Sequence, residues 1–436
     1  MSAKIRSHQP LVNVITLGCP KNLVDSEKLM GRLKGSGMDV RHGSRRKADI
    51  LIINTCGFIQ DAKEESIETI LGAIQQKKSG KFSKVVVMGC LSERYMAELK
   101  EEIPEVDHFY GVNDLEQILK DLKASDRNYL INERFLTTPP HFAYLKIAEG
   151  CDRTCSFCAI PLIRGTNVSV PVEQLIEEAG SLADKGVKEL ILVAQDLTWY
   201  GLDLYNKRML GGLLEKLSEV KGIEWIRLHY AYPAAFPPDV PDIMALKPNI
   251  CKYLDIPFQH ISDELLASMR RGITSRDTYA LINNIREKVP GISLRTSLMV
   301  GYPGETESHF GELKNFVKNA RFERMGVFTY SEEEGTRAAK LADTVPQSVK
   351  EERAAELMEL QQQISQEINE TKIGKNFKTI IDGREGEFYI GRSEHDSPEI
   401  DNEVLIRANG PALKIGEFYS IRITKADAFD LFGEID

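Results

Sequence analysis

Short apolar runs alternate with amphipathic segments along most of the chain, and this alternation predicts parallel β-sheets covered by helices. In the first 125 residues, three apolar runs are each followed by a segment with helical periodicity. We therefore predict an open, mostly parallel α/β sheet over residues 10–125. The predicted strands are Val12–Leu17, Ala48–Asn54 and Lys84–Met88, and the predicted helices are Asp25–Lys34, Asp61–Lys78 and Ser92–Glu102.

A second series of strands and helices follows residues 126–140, which end in Thr-Thr-Pro-Pro and which we interpret as a linker. Six strand–helix units over residues 137–368 are typical of a (β/α)6 barrel or partial barrel. A helix rich in Glu and Gln, Ser348–Thr371, is predicted to close this series and to pack on the barrel. The six predicted strands are Ala143–Ile147, Glu189–Ala194, Trp225–His229, Lys252–Ile256, Ser293–Val300 and Arg324–Phe328.

The last part of the chain, residues 369–436, has a different pattern. Gly and Pro separate short strand-like runs there, which predicts a small antiparallel β-barrel. The fold class is therefore α/β with several domains, the third of them all-β. The runs are Asn376–Ile381, Phe388–Arg392, Glu403–Ile406 and Phe418–Lys425.

Composition limits the classes of protein that fit this pattern. The chain has 436 residues, of which 42% are hydrophobic and 28% charged, as expected for two or three globular domains. No run is apolar and long enough to span a membrane or to act as a secretory signal, so we expect a cytoplasmic protein without a membrane segment. The net charge of −9 does not indicate general affinity for nucleic-acid phosphates.

Three of the seven cysteines lie close together in one loop, in the pattern C-x3-C-x2-C. Cys151, Cys155 and Cys158 have no fourth Cys or His within the next dozen residues. A structural zinc site needs four ligands, whereas a four-iron cluster held by three thiolates keeps one iron free of protein ligands. An iron of this kind can bind a small molecule, so we interpret the loop as catalytic. A zinc knuckle that lacks one ligand is the alternative.

Three further cysteines are distant in sequence but occupy equivalent positions. Cys19, Cys56 and Cys90 each follow one of the three predicted strands of the first domain. Because ligand sites of open α/β sheets lie outside the carboxyl ends of the strands, we expect these thiols to converge at one edge. The alternative is three buried core thiols, because free cysteine is often buried. Cys251 precedes a strand and is predicted to be structural.

The cysteine loop resembles the cluster-binding motif of the radical S-adenosylmethionine (SAM) enzymes. With three cysteines at strand ends before it and a small β-barrel after it, essentially the whole chain resembles the methylthiotransferases of that superfamily. Other segments are similar to motifs of the same family. These are Cys19–Asn22, Asn54–Ile59, Val87–Leu91 and Gly301–Thr306.

Two branches of that family modify different substrates, an adenosine of transfer RNA or an aspartate of small-subunit ribosomal protein twelve. Leu17–Glu27 and Tyr330–Thr336 resemble the ribosomal-protein branch more closely. Residues 370–436 hold nine basic and 14 acidic side chains, so the predicted barrel suits a basic protein better than a phosphate backbone. We expect the aspartate as substrate and keep the transfer-RNA adenosine as the alternative. An iron–sulfur sensor or RNA-binding protein without turnover is the alternative from another class.

The resemblance implies two [4Fe-4S] clusters and SAM as cofactors. Cys151, Cys155 and Cys158 would hold the cluster that cleaves SAM to a 5′-deoxyadenosyl radical, which removes a hydrogen from the β-carbon of the aspartate. Cys19, Cys56 and Cys90 would hold a second cluster that carries the inserted sulfur, and a second SAM would methylate that sulfur. The two clusters would face one cavity. A reductant protein and a sulfur donor are the further partners expected, and we expect a monomer.

The residues that contact SAM follow from the resemblance less directly. Two candidates lie at the end of the second strand of the predicted barrel. Three follow the fifth strand, where the family binds SAM, and one lies on the fifth strand itself. A plain Pro-Gly turn over residues 301–305 and an ordinary ion pair at position 295 are the alternatives. Arg270 and Arg271 are predicted to be solvated surface charge. The candidates are Gln195, Asp196, Arg295, Gly301, Gly304 and Glu305.

Overall fold

The computed structural model of the protein describes residues 10–124 and 134–435. Residues 126–133 of the predicted linker over 126–140 therefore lie outside the described residues. The predicted domain ends at 125 and 436 also lie outside them. No helix among the described residues is both long and apolar enough to cross a membrane. The chain divides into two compact units, which are Met1–Thr137 with Ala159–Thr166, and Thr138–Cys158 with Asn167–Asp436.

The first unit is a five-stranded parallel sheet with the strand order β2-β1-β3-β4-β5. The structure confirms the three predicted strands and adds two short edge strands, which the polar sequence Asp-Val-Arg-His and a two-residue run did not reveal. The strands are β1 (Leu11–Thr16), β2 (Asp39–His42), β3 (Ile50–Thr55), β4 (Lys84–Gly89) and β5 (His108–Phe109). The helices are α1 (Pro20–Gly35), α2 (Gln60–Lys78), α3 (Cys90–Arg94), α4 (Met96–Glu102), α5 (Leu115–Asp121) and α6 (Ile160–Arg164).

Both faces of this sheet are covered, which explains the continuous apolar runs of its central strands. Along β3, Ile50 and Ile52 face a core formed with α1 and α5, whereas Leu51 and Ile53 face a core formed with α2 and α4. Every residue of β3 is buried. The strand order changes direction between β1 and β3, and in such sheets a crevice opens at the carboxyl ends of those two strands.

The second unit contains a six-stranded parallel sheet in the consecutive order β13-β12-β11-β10-β9-β6, which confirms the predicted (β/α)6 arrangement. Its strands are β6 (Phe142–Lys146), β9 (Glu189–Val193), β10 (Trp225–Leu228), β11 (Ile250–Asp255), β12 (Ser293–Val300) and β13 (Arg324–Thr329). A short antiparallel pair lies between β6 and β9 in sequence, β7 (Ala148–Glu149) and β8 (Val168–Ser169). The helices are α7 (Val172–Asp184), α8 (Leu202–Tyr205), α9 (Leu210–Leu217), α10 (Asp239–Leu246), α11 (Asp263–Ser268), α12 (Ser275–Lys288), α13 (Glu307–Ala320) and α14 (Gln347–Glu370).

The C-terminal strands form the predicted small barrel, which is closed in the order β14-β15-β16-β18-β17. One of its strand pairs, β16 with β18, is parallel and the others are antiparallel. The barrel belongs to the same compact unit as the six-stranded sheet, and the domain boundary at residue 369 stays a prediction. The strands are β14 (Asn376–Glu385), β15 (Phe388–Ser393), β16 (Val404–Arg407), β17 (Phe418–Ala426) and β18 (Leu431–Ile435).

Buried charges join this barrel to the six-stranded sheet. Glu189 at the start of β9 is fully buried and accepts hydrogen bonds from Arg227 on β10 and Arg392 on β15, both at 2.7 Å. Arg392 also pairs with Asp382 at 2.6 Å. Burial alone would raise the pKa of Glu189, but the two guanidinium groups lower it below its ordinary value. The carboxylate is therefore charged and neutralises two buried cations.

We predict that Glu189→Gln destabilises the protein by about 3–5 kcal/mol, because it leaves Arg227 and Arg392 buried without a full counter-charge. The measurement is the urea midpoint and free energy of unfolding followed by circular dichroism. Glu224→Gln is the control, because Glu224 forms an exposed pair with Lys378 between the same two parts of the unit. That change should cost less than about 1 kcal/mol. Equal losses in the two variants would contradict the role given to the buried charges.

Candidate functional site

Three cysteines lie at the carboxyl edge of the first sheet, as predicted. Cys19 caps the start of α1 after β1, Cys56 directly follows β3, and Cys90 begins α3 directly after β4. Each thiol therefore leaves the sheet at the edge where the crevice of such folds lies. The three thiols are close enough that ionisation of one would raise the pKa of another. Cys56 and Cys90 are buried and Cys19 is partly buried.

Glycines allow the close approach of these loops. Gly18 has a φ of +85°, and a Cβ at this position would lie 2.7 Å from Cys56 Cβ and 2.9 Å from Cys56 Sγ. Only a residue without a side chain lets the loop that carries Cys19 lie against Cys56. Burial raises the pKa of the Cys56 thiol and raises that of Cys90 to about 11. A metal that bound here would have to displace thiol protons.

A buried arginine from α6 completes the polar surroundings of Cys90. Arg164 donates from Nε to Cys90 Sγ at 3.3 Å, from Nη1 to Asp25 Oδ2 at 3.0 Å, and from Nη2 to Asn22 Oδ1. Asn22 in turn donates to the carbonyl oxygens of Leu17 and Thr55. The network ties the loops after β1 and β3 to one thiol, and the sequence analysis did not identify Arg164.

The second group of cysteines lies in the loop after β7, at the carboxyl end of the first barrel strand. Ser156, between Cys155 and Cys158, shares a hydrogen bond of 2.9 Å with Tyr302 Oη, and its backbone N–H donates to Met269 O. The Cys158 N–H donates to Cys155 O at 3.3 Å, which turns the loop back on itself. Burial raises the pKa of the Cys151 thiol to about 11.

Cationic and aromatic side chains that the sequence analysis missed surround this loop. Arg153 donates to Asp196 at 2.8 Å and stacks on the rings of Trp199 and Tyr232. Arg271 donates to Cys155 Sγ at 3.3 Å. The prediction that Arg271 is solvated surface charge is wrong, since its side chain is buried; its neighbour Arg270 is exposed as predicted.

Gln195 and Asp196 follow β9 and lie beside the cysteine loop. Gln195 donates to Glu149 Oε1 at 2.6 Å, and its own buried Oε1 has no hydrogen-bond partner in the described part of the chain. A ligand that donates a hydrogen bond at this position would satisfy the acceptor. Asp196 has both carboxylate oxygens engaged, one by Thr198 and the other by Arg153, so it shapes the loop.

The turn after β12 is held from one side by α14. Glu305 is buried and accepts from Gly301 N at 2.8 Å and from Arg353 at 2.7 Å. Gly301 has a φ of +73°, and the side chain of Lys350 packs where a Cβ would lie. The Gly304 N–H donates to Thr344 Oγ1. Tyr302 of this turn links it to Ser156 of the cysteine loop, so the structure brings the two segments together.

Arg295 stands apart from these residues. It is the third residue of β12, far from the carboxyl end of the strand, and it pairs with Asp401 at 3.2 Å and Asp255 at 3.5 Å. Asp401 belongs to the C-terminal part of the unit. The ion pair that the sequence analysis kept as an alternative is present, and the predicted contact of Arg295 with SAM gains no support from the geometry. Cys251 is buried, as expected of a structural residue.

Each group offers three cysteine thiols, which is the ligand set of an iron–sulfur cluster with one open iron. In residues 10–124 and 134–435, no three His, Cys, Asp or Glu side chains converge closely enough to ligate one metal ion. The thiolates of a cluster bind different iron atoms and stand farther apart than the ligands of one ion. Thiolates are soft ligands that select such clusters, and each group has a guanidinium N–H directed at one sulfur.

Family models match three successive parts of the chain. Residues 11–111 match the uncharacterized protein family UPF0004, residues 145–317 the radical SAM superfamily, and residues 373–435 the TRAM domain. The three matches follow the order of the open sheet, the partial barrel and the closed C-terminal barrel.

Curated relatives match almost the full length. A protein of Christiangramia forsetii named ribosomal protein uS12 methylthiotransferase RimO is 57% identical over 97% of this chain and 94% of its own. A protein of the same name from Bacteroides fragilis is 56% identical over 97% of this chain and 99% of its own. The chain belongs to the RimO family of methylthiotransferases. It is thus a radical SAM transferase, and the cofactors of this family are SAM and [4Fe-4S] clusters.

Solved structures support the fold alone. The radical SAM methyltransferase TsrM from Kitasatospora setae superposes with a TM-score of 0.55 over 73% of this chain and 72% of its own, at 14% identity. The cobalamin-dependent SAM radical enzyme OxsB superposes with a TM-score of 0.52 over 76% of this chain and 55% of its own, also at 14% identity. RimO family membership rests on the sequence matches and not on these superpositions.

We predict that Glu305→Gln weakens SAM binding about tenfold, because the turn loses its charge-assisted hydrogen bond to Arg353. The measurement is isothermal titration of the reconstituted protein with SAM. Glu307→Gln is the matched control, since Glu307 also pairs with Arg353 but its side chain is 84% exposed. It should leave SAM binding unchanged. Equal SAM affinity in the Glu305 variant would show that the turn has no part in the SAM site.

Proposed function

We propose that this enzyme adds a methylthio group to the β-carbon of an aspartate in small-subunit ribosomal protein uS12. The observation that carries the proposal is the match to relatives named for uS12 over 97% of the chain, including the C-terminal barrel. The net negative charge of residues 370–436 supports a basic protein as the substrate.

The six cysteines would divide the chemistry between two sites. We propose that Cys151, Cys155 and Cys158 hold one cluster and that Cys19, Cys56 and Cys90 hold the other. When bound, clusters with an iron free of protein ligands supply the electron that cleaves SAM and the place from which sulfur is inserted. Radical chemistry suits the target, because the β-carbon of an aspartate carries no usefully acidic hydrogen.

The side chains of the protein would orient the reactants. Gln195, with its orphaned buried oxygen beside the cysteine loop, is the strongest candidate for a direct contact with SAM. The turn Gly301–Glu305 would form a second wall of the same site, positioned by Arg353 and linked to the loop through Tyr302 and Ser156. Tyr232 donates to Arg271 O at 2.9 Å and lies 3.5 Å from Cys155 Sγ, so it connects Arg271 to the cysteine loop.

Other parts of the proposal concern the setting of the reaction. We propose that the enzyme works as a monomer in the cytoplasm and needs a reductant protein and a sulfur donor. The support is the substrate itself, because ribosomal proteins are made and assembled there, and the family chemistry, which consumes electrons and sulfur.

The test is intact-mass spectrometry after anaerobic incubation of reconstituted enzyme with SAM, sulfide and a reductant. Purified uS12 and unmodified transfer RNA are offered in parallel. We expect one methylthio group on uS12 and none on the RNA, and a uS12 variant with Asn at the target aspartate should stay unmodified. A methylthio group on the RNA instead would overturn the proposed substrate and leave the family chemistry intact.

A further inference from the structure

A buried arginine beside the cysteine loop has an unusual environment. Arg271 is only 4% exposed and donates from Nη1 to Cys155 Sγ at 3.3 Å. Its Nη2 donates to Pro257 O, and its guanidinium lies 4.2 Å from the centre of the Tyr232 ring. These contacts fix the cation against one thiol, and none of the three is with a carboxylate.

The other buried arginines of the described residues differ in this respect. Seven arginines are buried there, and six of them form an ion pair with a carboxylate. Arg271 alone has no carboxylate within ion-pair distance in residues 10–124 and 134–435. Asp196 acts on it only from beyond that distance and is already bound by Arg153. The six pairs are Arg134–Glu27, Arg164–Asp25, Arg227–Glu189, Arg324–Asp396, Arg353–Glu305 and Arg392–Glu189.

A buried charge without a counter-charge is strongly unfavourable, so the environment of Arg271 calls for an anion at Cys155. One thiolate would provide a single negative charge, and a cluster bound by three thiolates would provide more. Arg164 makes a useful comparison, because it donates to Cys90 at the same distance of 3.3 Å but is neutralised by Asp25. Cys90 and Cys155 therefore accept similar hydrogen bonds from arginine, but the arginine at Cys90 has a carboxylate partner.

We propose that Arg271 is the buried counter-ion of the cluster at Cys151, Cys155 and Cys158 and raises its reduction potential. The proposal rests on the assignment of a cluster to these cysteines. Reduction adds one electron to the cluster, so a fixed positive charge and an N–H···S bond stabilise the reduced form more than the oxidised form. Arg271 acts through the thiolate of Cys155 and is a positioning residue that need not touch the substrate.

The test is a redox titration of the full chain with dithionite, followed by electron paramagnetic resonance. The parent protein carries Cys19→Ala, Cys56→Ala and Cys90→Ala, so that only the cluster of interest gives a signal. Arg271→Met should lower the ratio of reduced to oxidised cluster at the parent midpoint about tenfold, which corresponds to about 59 mV for one electron. Arg271→Lys, which keeps the charge, should restore most of the potential.

Arg270→Met in the same parent is the matched control, because Arg270 carries the same charge next to Arg271 in sequence but its side chain is exposed, and it should leave the potential unchanged. A full iron content and an unmoved potential in Arg271→Met would overturn the proposal. So would weaker SAM binding at an unmoved potential, which would make Arg271 a SAM ligand. If Arg271→Met fails to fold, the reduction potentials of Arg271→Gln and Arg271→Lys are compared instead. Equal potentials in these two variants would overturn the proposal. A parent without any cluster would overturn the assignment of the cysteines and the proposal with it.

Discussion

Parallel strand pairing is the constraint on which the arrangement of the thiols depends. Strands of one direction end at one edge, so Cys19, Cys56 and Cys90, which are far apart in sequence, come together after β1, β3 and β4. The cysteine loop of the second unit likewise lies beyond the carboxyl end of β6, the first strand of a parallel sheet. The helices on both faces of the first sheet bury its apolar strands and hold their ends in place. Chemistry is thus confined to loops whose anchors are rigid.

Buried charge is the second organising feature. Glu189 neutralises two arginines where the C-terminal barrel meets the central sheet, and Arg353 fixes the turn after β12 through Glu305. Each of these buried cations has a carboxylate partner, which offsets the cost of burying its charge. Arg271 is different, since in the described part of the chain no carboxylate pairs with it and its guanidinium faces the sulfur of Cys155. The same physical rule that explains the structural pairs therefore points to an anionic group at Cys155.

Much of this could be predicted from the sequence, because apolar periodicity and strand ends are local signals. The strands over 293–300 and 324–329 are examples. The positions of all six cysteines after strands of the two units are another. The edge strands β2 and β5 and the barrel strand β18 were missed because they are short or polar, and pairing with neighbouring strands determines whether such segments form strands. Arg271 was taken for surface charge because burial of a cation depends on tertiary neighbours. Arg295 lies in an ion pair with Asp401, which is 106 residues away in sequence.

The central claim is that two separate groups of three thiols have separate tasks. The most direct measurement compares SAM cleavage and methylthio transfer to uS12 in Cys155→Ala, Cys56→Ala and Cys251→Ala. The account predicts no SAM cleavage in the first variant, and residual cleavage without sulfur transfer in the second. Both activities should persist in the third variant. Cys251 is buried in a hydrophobic cluster and belongs to neither group of three cysteines. Full methylthiolation of uS12 by the Cys56→Ala protein would contradict the account.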